Sequence, residues 1–102
     1  MELKQYDRAI QDYSKAIQIN SNDSYFRKCA DAYVKLKQYD QAIHSYSKAI
    51  SFNSNEASYY SSRGDVYVGL KEYGLAMQDY DQAIRFNPKN PHYYRKRGDT
   101  YV

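Results

Sequence analysis

Apolar side chains along this chain recur at helical spacing rather than in the strict alternation of a half-buried strand. Ala42, Ile43, Tyr46, Ala49 and Ile50 form one stripe along a helix, and Tyr60, Gly64, Tyr67 and Val68 form another. Each stripe belongs to a phrase that is repeated. The first phrase reads LKQYDRAIQDYSKAI from Leu3 to Ile17, LKQYDQAIHSYSKAI from Leu36 to Ile50 and LKEYGLAMQDYDQAI from Leu70 to Ile84. The second reads SYFRKCADAYVKL over 24–36, SYYSSRGDVYVGL over 58–70 and HYYRKRGDTYV over 92–102. The spacing predicts a helix for each phrase, termed helix B for the first and helix A for the second.

Tyr6, Tyr39 and Tyr73 are separated by 33 and then 34 residues, and the same offsets relate Ala9, Ala42 and Ala76; Tyr13, Tyr46 and Tyr80; Ala16, Ala49 and Ala83; and Asn20, Asn53 and Asn87. Tyr25, Tyr59 and Tyr93 are 34 apart throughout, so the one-residue deletion lies around Ser21–Asp23. The linkers NSND, NSNE and NPKNP are turn chemistry. Asn20, Asn53 and Asn87 are expected to take the left-handed conformation at a helix C-terminus, and Pro91 suits the first turn of a helix. From A to B the chain turns within LKQYD or LKEYG, which makes the two helices antiparallel neighbours. Ala30, Gly64 and Gly98 are equivalent small residues where helices should touch. A helix-interior glycine costs roughly 1 kcal/mol relative to alanine, so packing is expected to offset it.

With this period and these positions the chain resembles the tetratricopeptide repeat family over essentially its whole length. The matching positions on helix A are the early aromatic (Phe26, Tyr60, Tyr94), the small residue four later (Ala30, Gly64, Gly98) and the next tyrosine (Tyr33, Tyr67, Tyr101). On helix B they are the Ala–Tyr–Ala series, closed by Pro88 in the third linker. Tyr60 and Tyr94 stand where the family often has Trp, Arg63 and Arg97 replace a usual Leu, and Ser21 and Ser54 replace the terminal Pro. The RNA-reading pentatricopeptide family has a similar period but lacks the Ala–Tyr–Ala series. The resemblance implies an all-α fold, a right-handed superhelix (solenoid) of antiparallel helix pairs in the order B–A–B–A–B–A. It implies one domain over 1–102: the second helix of a partial repeat at 1–22, full repeats at 23–56 and 57–90, and the first helix of a partial repeat at 91–102.

Composition narrows the function classes. The chain has 102 residues, 42% hydrophobic and 26% charged, with 14 Tyr and no Trp, which is globular rather than disordered. A net charge of +3 with interspersed signs does not argue for nucleic acid, and no apolar run is long enough to span a bilayer. The single cysteine, Cys29, can form no internal disulfide, so nothing points to secretion and a cytoplasmic or otherwise intracellular location is expected. No nucleophile elbow, phosphate loop or convergent acid–base group is visible, so no enzyme and no cofactor are expected. His44 and His92 stand on different helices without ligand-spaced neighbours, which gives no metal site.

Other features read more simply as structure. The RGD triplets at Arg63–Asp65 and Arg97–Asp99 fall inside helix A with the glycine at a packing position, not on an adhesive loop. Cys29 occupies the site of Arg63 and Arg97, where a half-buried inert thiol is expected. Asn22–Asp23–Ser24 is a glycosylation sequon without a secretory signal. The tyrosines recur at core-facing spacing, so most are expected to pack rather than stack on bases.

The resemblance implies a concave wall lined by helix A, where such proteins bind a peptide or partner protein. On this chain the expected wall positions are Ser24, Arg27, Asp31, Val34 and Lys35; Ser58, Ser61, Asp65, Val68 and Gly69; and His92, Arg95, Asp99 and Val102. The recurring Asp and Val would suit an extended peptide carrying basic and apolar groups. Against that, Arg27–Asp31 and Arg95–Asp99 have the spacing of intrahelical pairs, worth about 0.2–0.5 kcal/mol each. Family members that clamp the C-terminal carboxylate of Hsp70 or Hsp90 use Lys and Asn, Asn, then Lys and Arg; this chain has Arg27 and Asp31, Ser62, then His92 and Lys96. Both asparagines are replaced, and Asp31 opposes a carboxylate, so the clamp is disfavoured.

The sequence opens with a helix B and closes on a helix A, leaving Ile10, Tyr13, Ile17, Tyr94 and Tyr101 short of expected cover. Solenoids usually carry a polar cap at each end. Two readings are open: a fragment of a longer array, or a self-associating module that assembles head-to-tail through Leu3, Tyr6, Ile10, Tyr13, Ile17, Tyr94, Tyr101 and Val102. HYYRKRGDTYV followed by ELKQYDRAI reads as continuous repeat.

Overall fold

In a computed structural model, the backbone is described for residues 3–102 and the side chains for residues 5–102. The side chain of Leu3, one of the expected end contacts, lies outside the described residues. The elements are α1 (Leu3–Ile19), α2 (Asp23–Lys35), α3 (Tyr39–Phe52), α4 (Ala57–Gly69), α5 (Tyr73–Phe86) and α6 (Pro91–Tyr101), with no strand among the described residues. Thus α1, α3 and α5 are the B helices and α2, α4 and α6 the A helices. None of the described helices is long and apolar enough to cross a membrane. The chain divides after Ser54 into two compact units, α1–α3 and α4–α6.

In the first unit α2 packs on both α1 and α3. Phe26, near the start of α2, meets Phe52 at the end of α3 edge to face at 5.4 Å, whereas Asp31 further along α2 is reached by Tyr46 from mid-α3. Contacts that run in opposite senses along the two helices make them antiparallel. Cys29, Ala30 and Ala32 of α2 and Ala42, Ser45, Tyr46 and Ala49 of α3 are buried. Ala9 and Ala16 on α1 are only half-buried, because α1 is packed from one side, by α2.

In the second unit α5 packs on both α4 and α6. Tyr60 stacks on Phe86 at 5.6 Å, and Ala57, Ala83 and Tyr93 form a buried cluster lined by Tyr60, Ile84 and Phe86. Gly64 is a true close approach: a Cβ there would lie 2.8 Å from Cε1 of Tyr80. Gly98 departs from the expectation for its position, since nothing lies within 4 Å of where its Cβ would be. The reason is visible in α6, which turns Tyr93 towards α5 and leaves its neighbour Tyr94 44% exposed. A helix A therefore has two packing faces, and α6 uses one of them.

The reversals between A and B correct another expectation. Asn53 and Asn87 end their helices at φ −145° and −144°, not in the left-handed region, and Asn20 is not left-handed either. The left-handed residues are Lys37 (φ 59°) and Lys71 (φ 61°). Gln38 N–H donates to the Tyr33 carbonyl and Lys37 N–H to that of Val34, each at 2.9 Å, and Glu72 and Lys71 repeat the pattern on Tyr67 and Val68. These are Schellman caps, which reverse the chain within a few residues. The B-to-A linkers use asparagine differently: Asn22 and Asn90 accept from the backbone N–H of Tyr25 and His92, capping α2 and α6 at their N-termini, with Pro91 in the first turn as expected.

Of the tyrosines, Tyr46, Tyr59, Tyr80 and Tyr93 are buried while Tyr73, Tyr94 and Tyr101 are exposed. Both RGD triplets lie within helices, α4 and α6.

Candidate partner-binding site

The expected wall residues lie on the A helices, with Val102 just beyond α6, and the acids among them already have partners. On α2, Arg27 donates to Asp31 at 2.8 Å, the intrahelical pair its spacing allows, and the Tyr46 hydroxyl donates to the other oxygen of Asp31 at 2.5 Å. Ser24 and Val34 are half-buried beside them, and Lys35 is exposed. On α4, Asp65 accepts from the Tyr80 hydroxyl and from Lys96 Nζ of α6, both at 2.7 Å. Ser61 is buried and accepts from the same Lys96 at 3.1 Å, while Ser58 Oγ donates to Glu56. On α6, Arg95 pairs with Asp99 at 3.3 Å with both side chains mostly in solvent, and His92 and, just past the helix, Val102 are exposed.

The recurring acids are thus neutralised from within: Asp31 by Arg27, Asp65 by Lys96 and Asp99 by Arg95. Asp31 and Asp65 also receive a phenol from the following B helix, each from a tyrosine 15 residues on. The spacing of these tyrosines predicts packing with hydroxyls that reach a neighbouring helix, but not which residues accept from them. The repeated Asp-to-Tyr interval, present twice, was the available signal. Lys96, at a carboxylate-ligand position of the clamp, ties α6 to α4 instead.

A second interaction went unread. Asp79 of α5 is buried, and Arg63 of α4 holds it with two hydrogen bonds, Nε at 2.9 Å and Nη2 at 2.8 Å. The Asp79 hydrogen bonds hold the Arg63 guanidinium above even its ordinary pKa, outweighing the cost of burial. In the first unit the equivalent positions are the buried, neutral Cys29 and Ser45. Burial pushes the Cys29 thiol up, and a hydrogen bond with Ser14 offsets only part of that, which suits the inert thiol expected. Arg97, the third residue of this series, pairs with Asp81 at 2.9 Å and lies over the ring of Tyr94.

Between α4 and α6 an open, polar cleft of about 380 Å³ is lined by Ser58, Ser61, Ser62, Asn90, His92, Tyr93, Arg95 and Lys96. Among the described residues no three His, Cys, Asp or Glu side chains group as metal ligands would, and no buried side-chain N or O lacks a hydrogen-bond partner.

Residues 30–71 and 64–102 match the family model of the TPR repeat, and residues 1–23 match that of the tetratricopeptide repeat. The chain belongs to the tetratricopeptide repeat (TPR) family. Among solved structures, the Arabidopsis OM64 TPR domain is 26% identical and superposes with a TM-score of 0.86, over 95% of this chain and 81% of that domain. The first TPR of Spaghetti (RPAP3), bound to the HSP90 peptide SRMEEVD, is 25% identical with a TM-score of 0.89, over 96% of this chain and 79% of that one. The second TPR domain of human RPAP3, in complex with the HSP70 peptide SGPTIEEVD, is 23% identical with a TM-score of 0.89, over 97% and 83% of the two chains. No curated protein matches the chain. The fold is the expected all-α TPR solenoid of helix pairs, and the expected family is the observed one.

Proposed function

We propose that this TPR chain is a non-catalytic scaffold that binds a peptide or a partner-protein segment on the faces of its A helices. The observation that carries the reading is the cleft between α4 and α6, which presents Ser58, Ser62, His92 and Arg95 beside the Lys96 bridge and is open to solvent. TPR domains of the same fold and similar length hold short peptides, SRMEEVD from HSP90 and SGPTIEEVD from HSP70, which supports the reading. Because Asp31, Asp65 and Asp99 already have cationic partners, each A helix offers a paired charge followed three residues on by a valine (Val34, Val68 or Val102). Such a surface suits an extended segment with apolar side chains and a hydrogen-bonding backbone. It is less suited to a strongly basic one. In the α4–α6 cleft a C-terminal carboxylate would find Ser62 and His92 where the clamp carries Asn and Lys, so EEVD-type peptides are expected to bind weakly.

Heteronuclear NMR titration tests this, using SRMEEVD, SGPTIEEVD and a library of random seven-residue peptides as probes. The expected result is that peptides selected from the library shift amide resonances of α4 and α6, and that H92E/R95E weakens them by tenfold or more, about 1.4 kcal/mol. Shifts confined to α1, α3 and α5, or no shift from any peptide, would overturn it.

A further inference from the structure

The contacts between α4 and α5 define a set of pairs whose halves recur, separated, on α6 and α1. Across α4 and α5, Arg63 holds Asp79, Asp65 accepts from Tyr80, Gly64 admits the Tyr80 ring, and Tyr60 stacks on Phe86. Across α2 and α3 the same positions give Asp31 with Tyr46 and Phe26 against Phe52. On α6 the A-side members are Arg97, Asp99, Gly98 and Tyr94; on α1 the B-side members are Asp12, Tyr13 and Ile19.

Most of these members are open; Arg97 and Tyr13 are half-buried. Tyr94 is 44% exposed, Gly98 has nothing within 4 Å of a Cβ, and the side chain of Asp99 is 70% exposed. On α1, Asp12 is exposed and Ile19, at the position of Phe52 and Phe86, is 87% exposed. An apolar cleft on the first unit is lined by Tyr6, Ala9 and Tyr13 together with α2 residues. Its counterpart in the second unit is lined by Tyr73, Tyr80 and, from α4, Val68. Val102, which follows α6 and is equivalent to Val68, is fully exposed.

We propose that α6 of one molecule docks against α1 of a second copy in the arrangement that α4 and α5 take within one molecule. Arg97 then meets Asp12 of the second copy, Asp99 accepts from its Tyr13, Gly98 admits the Tyr13 ring, Tyr94 covers its Ile19, and Val102 enters its Tyr6–Tyr13 cleft. The charges are complementary, a cation on α6 against an acid on α1. Apolar surface is available on both sides. The glycine falls where a ring must approach, which accounts for a helix-interior glycine that touches nothing within its own molecule. The present Arg97–Asp81 pair is largely solvated, with Asp81 58% exposed, so it yields at little cost. The contact is heterologous, so it propagates as an open chain or closes as a ring.

Sedimentation velocity of the full chain over a concentration series tests the proposal. The mass is expected to rise with concentration. R97E and D12R should each weaken association by roughly tenfold or more, as close interfacial charge pairs do, and the doubly exchanged D12R/R97E should recover it. Should either charge variant fail to fold by circular dichroism, G98A serves: it adds a methyl where α6 is open, so helicity is kept while association falls. A constant monomer mass up to the solubility limit would overturn the proposal and leave these faces to other occupants, such as further helices of a longer chain. Association that R97E, D12R and G98A leave unchanged would overturn it equally.

Discussion

The hydroxyl of Tyr80 donates to the carboxylate of Asp65 at 2.7 Å, so a buried B-helix ring is fastened to a solvent-facing acid on helix A. Tyr80→Phe keeps the ring and removes the bond. Hydrogen bonds to charged groups are worth about 1.5–3 kcal/mol, and the low end is expected because Asp65 keeps Lys96 and water. The phenol of Tyr80 is pushed above the usual tyrosine range, first by burial and then by its bond to Asp65. A raised phenol pKa means the fold favours the neutral form. Its contribution is therefore intact below the ordinary value of about 10 and is lost as pH rises beyond it. Urea unfolding from about pH 8 to about pH 11 should show wild-type stability falling at the alkaline end. The fall should be smaller in Tyr80→Phe, with Tyr93, also raised by burial, still contributing.

Arg63 and Asp79 should respond unequally to truncation. The Asp79 side chain is 5% exposed and that of Arg63 21%. Arg63→Met strands a buried carboxylate, a loss of about 3–5 kcal/mol. Asp79→Ala leaves a guanidinium that can reach water along its flexible stem, so it should cost clearly less. Chemical denaturation of the two variants checks the order; equal losses would mean that Arg63 is as confined as its partner.

Gly64→Ala and Gly98→Ala should have opposite signs. At Gly64 the new methyl would meet the buried Tyr80 ring at 2.8 Å, and overpacking costs about 1–3 kcal/mol, more than the roughly 1 kcal/mol gained in helix propensity. At Gly98 no atom opposes the methyl, so dilute protein should gain up to about 1 kcal/mol. Thermal unfolding at low concentration distinguishes them.

Cys29 should react slowly with thiol reagents in the native protein, since it is buried and its thiol is pushed up by that burial. A chromogenic disulfide reagent should titrate it only as fast as the fold opens, with the rate rising in step with denaturant. Fast labelling of the folded protein would show an open path to the sulfur.

The repeats, the helix pairs and the small residues between them were legible in the sequence because they obey one period. The Ala30 and Gly64 sites follow from it directly. Side-chain partnership was harder to read. Asp65 stands where a wall residue should, and only the geometry reveals that it is shared by Tyr80 and Lys96. An Asp65→Lys change would thus disturb the fold as well as any ligand, and His92 and Arg95, which face solvent, are the cleaner probes. The left-handed residues were missed for a related reason. A Schellman cap usually recruits glycine, and here Lys37 and Lys71 fill that place, while the asparagines that cap are Asn22 and Asn90, at the starts of α2 and α6.

A helix A with two packing faces also sets where the molecule should open first. Free energy in such an array resides largely at the junctions between helices, and a helix with one junction is coupled more weakly than a helix with two. The amides of α6, held to its unit through Tyr93 and Lys96 while Tyr94 and Tyr101 face water, should exchange their hydrogens sooner than those of α5. If Tyr94 and Gly98 find their complement on another molecule, that protection ceases to be a fixed property of the chain and rises with its concentration.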